Sequence, residues 1–159
     1  MKKSISIMVL GLLLSGATQA NPNILQGQAY VLDGDTLEIQ KTRVRLAGID
    51  APEKAQTCQT GSQTWFCGQA SSWALDQKIQ GKTVQCQLQS KDQYGRWVAE
   101  CFVNGVSLNA SQVQEGWAIA YERFSKAYLP QQQWAKQNKQ GIWSGTWMSP
   151  EQFRKEEKK

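Results

Sequence analysis

The sequence predicts an α+β domain in which a five-stranded Greek-key barrel packs against about three helices. Five short strand-like runs are divided by turn-forming residues, and apolar residues recur at helical spacing in three other segments. The length of 159 residues suits one domain, and a hydrophobic fraction of 40% is sufficient for a packed core.

The first twenty residues have the pattern of a secretory signal peptide. Lys2 and Lys3 precede an apolar run over 5–14, and small residues then lead to a cleavage site after Ala20. The alternative, a membrane anchor, needs about 20 apolar residues, and this run has about half that number. The mature chain would keep 16 basic and 13 acidic side chains, a net charge of +3 in place of +5. We therefore expect a periplasmic or extracellular monomer without membrane contact.

Five strands are predicted from alternating and β-branched runs. In the third run, Val44 and Leu46 alternate with Arg43 and Arg45, which is the pattern of a strand with one buried face. A turn over 91–95 separates the last two runs and indicates a hairpin. The runs span 24–32, 36–40, 42–47, 83–88 and 97–103.

Three helices are predicted, one between the third and fourth strands and two after the fifth. Ala70, Trp73 and Ala74 recur at helical spacing in the first. Ser107 is a helix cap, and Pro130 is typical of a first helical turn. The helices span 69–79, Ser107 to Gly116, and Pro130 to about Gln140.

This order of elements suits a small barrel of the OB type, with the helices packed against it. Trp73, Trp97 and Trp134 lie in predicted elements, and we interpret them as core residues, with base stacking as the alternative. Residues 149–159 are predicted to form a charged tail, and its last part, Arg154 to Lys159, is expected to be solvated or frayed.

The four cysteines are predicted to form two disulfides, since an exported chain meets an oxidising compartment. Cys58 and Cys67 lie in one polar segment, with a spacing unlike that of zinc sites. Cys86 and Cys101 are equidistant from the hairpin turn and should face each other. The predicted pairs are Cys58 with Cys67 and Cys86 with Cys101.

The chain contains no histidine, which excludes Ser-His and Cys-His catalytic pairs and zinc held by imidazole. Carboxylates, arginines and an oxygen-bound metal remain for catalysis. Such groups concentrate in two acidic motifs, which are Asp33-Gly34-Asp35 and Asp50-Ala51-Pro52-Glu53.

The two acidic motifs should meet at one end of the sheet if their strands are neighbours. Converging carboxylates repel one another, and Ca²⁺ or Mg²⁺ with oxygen ligands would neutralise them. The alternative is that each motif is only a turn or a loop. Their joint occurrence within 21 residues favours a cation site.

Two arginines accompany these motifs, Arg45 on the preceding strand and Arg96 at the hairpin turn. With a cation, they could stabilise the extra charge of a phosphate in its transition state. Glu53 could then activate water. The alternatives are an ion pair of Arg45 with Glu38 or Glu53, and a turn role in which Arg96 balances Asp92.

Four motifs, taken in their order along the chain, resemble the staphylococcal nuclease family. They are Val31 to Thr36, Val44 to Glu53, Tyr94-Gly95-Arg96 and Gly141-Ile142-Trp143. The resemblance spans about residues 27 to 144, so residues 21–148 would form the nuclease domain. It implies an OB-fold enzyme that uses Ca²⁺ to cleave DNA and RNA and leaves 3′-phosphate ends.

The resemblance also implies residue roles. Asp35 and Asp50 would give carboxylates to Ca²⁺, and Ala51 its backbone carbonyl. Ala51 stands where the best-known member has threonine, and a main-chain ligand tolerates this change. Glu53 would be the general base. The phosphate would be bound by Arg45 and Arg96, with Tyr94 at the terminal nucleotide or, alternatively, covering the barrel end.

Two other functions are compatible with parts of the sequence. One is an OB-fold module that binds nucleic acid without cleaving it. The other is a disulfide-stabilised secreted protein whose acidic motifs form a structural calcium site. The presence of both carboxylates, Glu53 and both arginines together argues against a binding module, and a structural calcium site does not need the paired arginines.

Overall fold

The computed structural model describes residues 23–159, so the predicted signal peptide, 1–20, lies outside the described residues. In chain order the elements are β1 Ile24–Gly27, β2 Ala29–Asp33, β3 Thr36–Ile39, β4 Thr42–Leu46, β5 Ile49–Asp50, β6 Cys58–Thr60, β7 Gln63–Trp65, α1 Cys67–Ile79, β8 Val84–Lys91, β9 Trp97–Val103, β10 Val106–Ser107, α2 Leu108–Gln114, β11 Ile119–Ala120, α3 Leu129–Gln137, a 3₁₀ helix Gly141–Ser144, and α4 Pro150–Glu156.

A curled, mixed sheet forms the centre of the molecule. Its strand order is β1-β8-β9-β4-β3-β2, with β10 beside β9, and β4 with β9 is its parallel pair. β1 and β2 are consecutive in the chain but lie at opposite ends of this order. The sheet therefore curls round, and Gln40 Nε2 donates a hydrogen bond to the Gln26 carbonyl oxygen across the seam at 3.1 Å. The predicted OB-type α+β fold is confirmed, with the first predicted strand divided at Gln28.

The core lies inside this sheet and under α1 and α2. Val44 and Leu46 are buried, as their alternation with arginines predicts. Asn109 of α2 joins β4 to β9, because its Nδ2 donates to the carbonyl oxygens of Ala47 (2.9 Å) and Ala99 (3.1 Å). This buried amide fixes the distance between the strand of Arg45 and the strand that follows Arg96.

Two tryptophans that were expected in the core are exposed. The buried face of α1 is formed by residues such as Cys67, Ser71 and Leu75, which are spaced four apart. Trp73 falls on the opposite face and is 65% exposed, and Trp134 is 45% exposed. The core prediction is wrong for both, whereas Trp97 packs against the core.

The last helix, α4, corrects the predicted tail. Ser149 caps it, with Oγ accepting from the Gln152 amide at 3.2 Å, and Pro150 is buried at its start. Residues 154–156 are therefore helical and not frayed, although Lys155 and Glu156 are exposed to solvent as expected. Within residues 23–159, no helix has the length and apolar character needed to cross a membrane.

Two disulfides join the pairs that the sequence predicts. Cys86 and Cys101 face each other in β8 and β9, with Cα atoms 4.0 Å apart. Cys58 of β6 is bonded to Cys67, the first residue of α1, with Cα atoms 5.6 Å apart. The first bridge braces the hairpin, and the second ties the loop after Glu53 to α1.

Candidate active site

The turn Asp33-Gly34-Asp35 is held from two sides. A Cβ atom on Gly34 would clash with Ser71 Oγ of α1, so only glycine permits this close approach. Gln112, which is fully buried on α2, donates from Nε2 to the Gly34 carbonyl oxygen at 2.8 Å. The position of Asp35 is thus set by two helices and by β3, which begins at the next residue.

Arg45 brings Asp35 and Asp50 together, as predicted from the strand order. Its Nη1 forms an ion pair with Asp35 Oδ1, and its Nη2 lies 3.0 Å from Asp50 Oδ1. Asp35 Oδ2 also accepts from the Ala51 amide at 2.8 Å. Both carboxylates are buried, Asp35 at 5% and Asp50 at 1% exposure. The alternative partners of Arg45, Glu38 and Glu53, form no ion pair with it.

The three aspartates of this cluster have pKa values that are shifted in different directions. Burial disfavours the charged form of Asp35, but Arg45 and the Ala51 amide outweigh it and hold its pKa below the ordinary value. Burial and the charge of Asp35 raise the pKa of Asp33 to about 6. Burial also raises the pKa of Asp50, against the opposing hydrogen bond from Arg154. Asp35 is therefore anionic at neutral pH and suited to bind a hard cation.

Glu53 lies on a loop that the fold holds firmly. Its carbonyl oxygen accepts from the Gln56 amide at 2.7 Å, and its amide donates to Gln56 Oε1 at 3.2 Å. Gln56 is fully buried and donates to the Met148 carbonyl oxygen at 2.5 Å. A Cβ atom on Gly68 would clash with the Glu53 carbonyl oxygen, so α1 packs directly against this loop. The backbone of Glu53 is thus held at a fixed position, three residues after Asp50.

Arg154 of α4 is a site residue that sequence reasoning missed. Its Nη1 lies 2.6 Å from Glu53 Oε1 and 3.1 Å from Asp50 Oδ1, and its Nη2 lies 3.0 Å from Asp50 Oδ2. The guanidinium therefore bridges Asp50 and Glu53. The run Ser149-Pro150 is the one signal that could have predicted a helix here, since it has the pattern of a capped helix start.

Arg96 lies at the hairpin turn and is held by Asp92. Its Nε donates to Asp92 Oδ2 at 2.8 Å, and its amide donates to Asp92 Oδ1 at 3.0 Å. Its guanidinium stacks on the Tyr94 ring, 5.5 Å from the centroid, and the Tyr94 side chain is 71% exposed. The contact with Asp92 is the one expected of a turn residue. Among the described contacts of Arg96, none is with Asp35, Asp50 or Glu53.

A positively charged cleft of about 380 Å³ lies between the start of β4 and the turn of the β8–β9 hairpin. We call it the basic cleft; it is lined by Lys41, Thr42, Arg43, Lys91, Tyr94, Gly95, Arg96 and Trp97. Val44 pairs with Trp97 in the parallel register, which places Arg96 next to Arg43. Because side chains two apart on a strand share one face, Arg43 points to the same side of β4 as Arg45. The basic cleft therefore lies on the side of β4 that also carries Arg45.

The donor set fits a hard divalent cation. Asp35 and Asp50 supply carboxylate oxygens, and Ala51 adds a backbone carbonyl next to them; Ca²⁺ accepts such ligands together with water. The part of the chain that the structure describes holds no group of three His, Cys, Asp or Glu side chains arranged for a metal. A cation here would therefore need the Ala51 carbonyl or water to complete its coordination.

Comparison with known proteins agrees with this arrangement. Residues 43–145 match the staphylococcal nuclease homologue family. The chain belongs to this family. It is thereby a nuclease, an enzyme of the hydrolase class. The matched residues include Arg45, Asp50, Glu53 and Arg96, whereas Asp35 and Arg154 lie outside them.

Several known proteins are similar to this chain over most of its length. It is 36% identical to an uncharacterised endonuclease of Escherichia coli O157:H7 over 121 residues, which cover 72% of this chain and 73% of that one. An uncharacterised endonuclease of Haemophilus influenzae is 33% identical over 136 residues, covering 80% and 71%. The succinoglycan biosynthesis protein ExoI of Rhizobium meliloti is 36% identical over 146 residues, covering 89% and 75%.

Proposed function

We propose that this protein is an exported, calcium-dependent nuclease that hydrolyses phosphodiester bonds of DNA and RNA and leaves 3′-phosphate ends. The observation that carries the proposal is the convergence of Asp35 and Asp50 on Arg45, with Glu53 linked to Asp50 through Arg154. Relatives named as endonucleases are similar over about three quarters of the chain, which supports the same reaction.

Asp35 and Asp50 would hold the calcium ion through their carboxylates, and Ala51 through its carbonyl oxygen. When bound there, the cation would neutralise charge on the scissile phosphate and lower the pKa of water. The low pKa of Asp35 supports its role as an anionic ligand. The other residues of the site then act on the water and on the phosphate.

Glu53 would accept a proton from the attacking water. The water oxygen forms a bond to phosphorus, and the bond from phosphorus to the 5′ oxygen breaks. The proton passes to Glu53, and the departing 5′ oxygen takes a proton from solvent. The products are a 3′-phosphate on one fragment and a 5′-hydroxyl on the other.

Arg45 and Arg96 would stabilise the negative charge that develops on the phosphate oxygens. Arginine suits this role because its planar donors match phosphate oxygens and stay charged. Asp92 would hold Arg96 in place, and the exposed Tyr94 ring would contact the nucleotide at the cleavage site. The basic cleft would bind the neighbouring phosphates of the strand.

Export is supported by the leader pattern and by the disulfides. Two disulfides form among the described cysteines, and such bridges persist in oxidising compartments. This agrees with a periplasmic or extracellular location.

End-group analysis of the products tests the reaction. A 5′-labelled oligonucleotide is cleaved in the presence of Ca²⁺, and the fragments are treated with a 3′-phosphatase or left untreated. We expect a mobility shift on phosphatase treatment, because the 3′ ends carry phosphate. Fragments with 3′-hydroxyl and 5′-phosphate ends would overturn the proposed direction of cleavage.

A further inference from the structure

Arg154 adds a positive charge to the active site from the end of the chain. We propose that Arg154 is an internal cation that competes with calcium for Asp50 and restrains Glu53, so that helix α4 sets the calcium affinity of the enzyme. This inference rests on the proposed calcium role of Asp50. It concerns a residue outside the part of the chain that matches the family.

Arg154 donates hydrogen bonds to both carboxylate oxygens of Asp50. Oδ1 accepts from Arg154 Nη1 (3.1 Å) and Arg45 Nη2 (3.0 Å), and Oδ2 accepts from Arg154 Nη2 (3.0 Å). Asp50 is 1% exposed, so its charge is stabilised by these two guanidinium groups and very little by water. Of the four lone-pair positions of this carboxylate, the guanidinium groups occupy three, so the position that remains for a divalent cation is on Oδ2, next to Arg154.

The two cations would therefore compete for Asp50. A calcium ion bound to Oδ2 would lie next to the positive guanidinium, and their repulsion would act at short range in a poorly hydrated site. By thermodynamic linkage, a contact that calcium must break weakens calcium binding, and bound calcium weakens that contact by the same factor.

Arg45 and Arg154 differ in how they are anchored. Arg45 lies on β4, between β3 and β9 in the central sheet, and cannot leave without disrupting it. Arg154 lies on α4, a seven-residue helix near the end of the chain whose one buried residue is Pro150. Its side chain is 34% exposed. Arg154 is therefore the guanidinium that can be released while the barrel stays intact.

The same release would free Glu53. Arg154 Nη1 lies 2.6 Å from Glu53 Oε1, so the guanidinium occupies an oxygen that would otherwise face the attacking water. Displacement of Arg154 by calcium would thus complete the metal site and unmask the general base in one step.

Calcium titration without nucleic acid tests the inference. Isothermal titration calorimetry is performed on the mature chain and on its Arg154→Gln and Lys155→Gln variants. Lys155 is the matched control, because it carries the same charge on the same helix and pairs with Glu151 instead of the active site. We expect Arg154→Gln to bind Ca²⁺ roughly tenfold more tightly than the wild type, since one charged contact no longer has to be broken. Lys155→Gln should match the wild type.

Hydrogen exchange of the wild-type protein provides a second measurement that needs no variant. We expect amide exchange within residues 150–156 to become faster when Ca²⁺ is added, while β3 and β4 stay protected. A calcium affinity of Arg154→Gln equal to or weaker than that of the wild type would overturn the inference alone. Absence of calcium binding in all three proteins would overturn the proposed calcium role as well.

Discussion

Among single residues, Glu53 is the one on which the proposed hydrolysis depends most. Its loop is fixed through the buried Gln56 side chain, so the Glu53→Gln substitution should leave the fold intact. The amide cannot accept the proton of the attacking water, and we expect the turnover number to fall by roughly 10²- to 10⁴-fold. Initial-rate assays on DNA would measure this. Glu122→Gln, an exposed change outside the site, serves as the control. Wild-type turnover by Glu53→Gln would refute the general-base role.

Asp92 provides a prediction on pH. Burial opposes its charge, but hydrogen bonds from the Arg96 side chain and from the Arg96 and Tyr94 amides together outweigh burial and lower its pKa below 3.8. A carboxyl group with a lowered pKa stabilises the folded state above its unfolded pKa and loses this effect as the pH falls through the folded one. We expect Asp92→Asn to cost about 1 kcal/mol at pH 7, because the pair is near the surface. Urea unfolding should show this difference shrinking below pH 3.8. A difference that is constant down to pH 2 would contradict the assignment.

At the scale of elements, the hairpin β8–β9 carries Arg96 at its turn and a disulfide between its strands. The Cys86–Cys101 bridge spans 15 residues, and closing a loop of this length contributes about 3 kcal/mol. We expect the Cys86→Ala/Cys101→Ala double variant to lose this amount in guanidinium unfolding. Reductant should no longer cause, in this variant, the loss of stability that reduction of the Cys86–Cys101 bridge causes in the wild type. A double variant as stable as the wild type would show that β-sheet pairing alone holds the hairpin.

The longer elements could be predicted because their patterns are local. Alternation in the third strand and the cap at Ser107 lie within a few residues, and the structure shows both. The short strands β5 and β11 were not predicted, since two residues carry no periodicity. The exposed position of Trp73 could not be predicted from its apolar character, because Ser71 occupies the buried face and is satisfied by the Trp117 carbonyl oxygen.

At the scale of the whole molecule, substrate binding depends on where the charges lie more than on their sum. The mature chain is expected to carry a net charge of only +3, yet the basic cleft gathers cations without an acidic residue in its lining. We expect Lys41→Gln/Arg43→Gln to weaken DNA binding and to lower the slope of log affinity against log salt by about 2, as two phosphate contacts are lost. Fluorescence anisotropy in a Glu53→Gln background would measure this without cleavage.

Lys82→Gln/Lys158→Gln is the matched control for the cleft, because it removes the same charge from residues that do not line it. We expect the control to change the salt slope by much less than the cleft variant. Equal effects of the two double variants would mean that binding follows net charge and that the basic cleft has no special role.

The candidate site could be predicted only in part from the sequence. Asp35, Asp50 and Arg45 belong to motifs within one stretch of chain, and β3 and β4 are adjacent, so their convergence follows from strand order. Arg154 reaches Asp50 across 104 residues and belongs to no motif. Such a contact depends on where α4 docks, and no local pattern encodes that position.

The calcium requirement of the reaction is tested by the dependence of DNA cleavage on free calcium, compared between the wild type and Asp50→Asn. We expect wild-type cleavage to saturate with calcium and to be abolished by a chelator. Asp50→Asn should require at least roughly tenfold more calcium, because a buried charged ligand is lost. Cleavage that persists undiminished in chelator, or an Asp50→Asn curve that coincides with that of the wild type, would contradict the account.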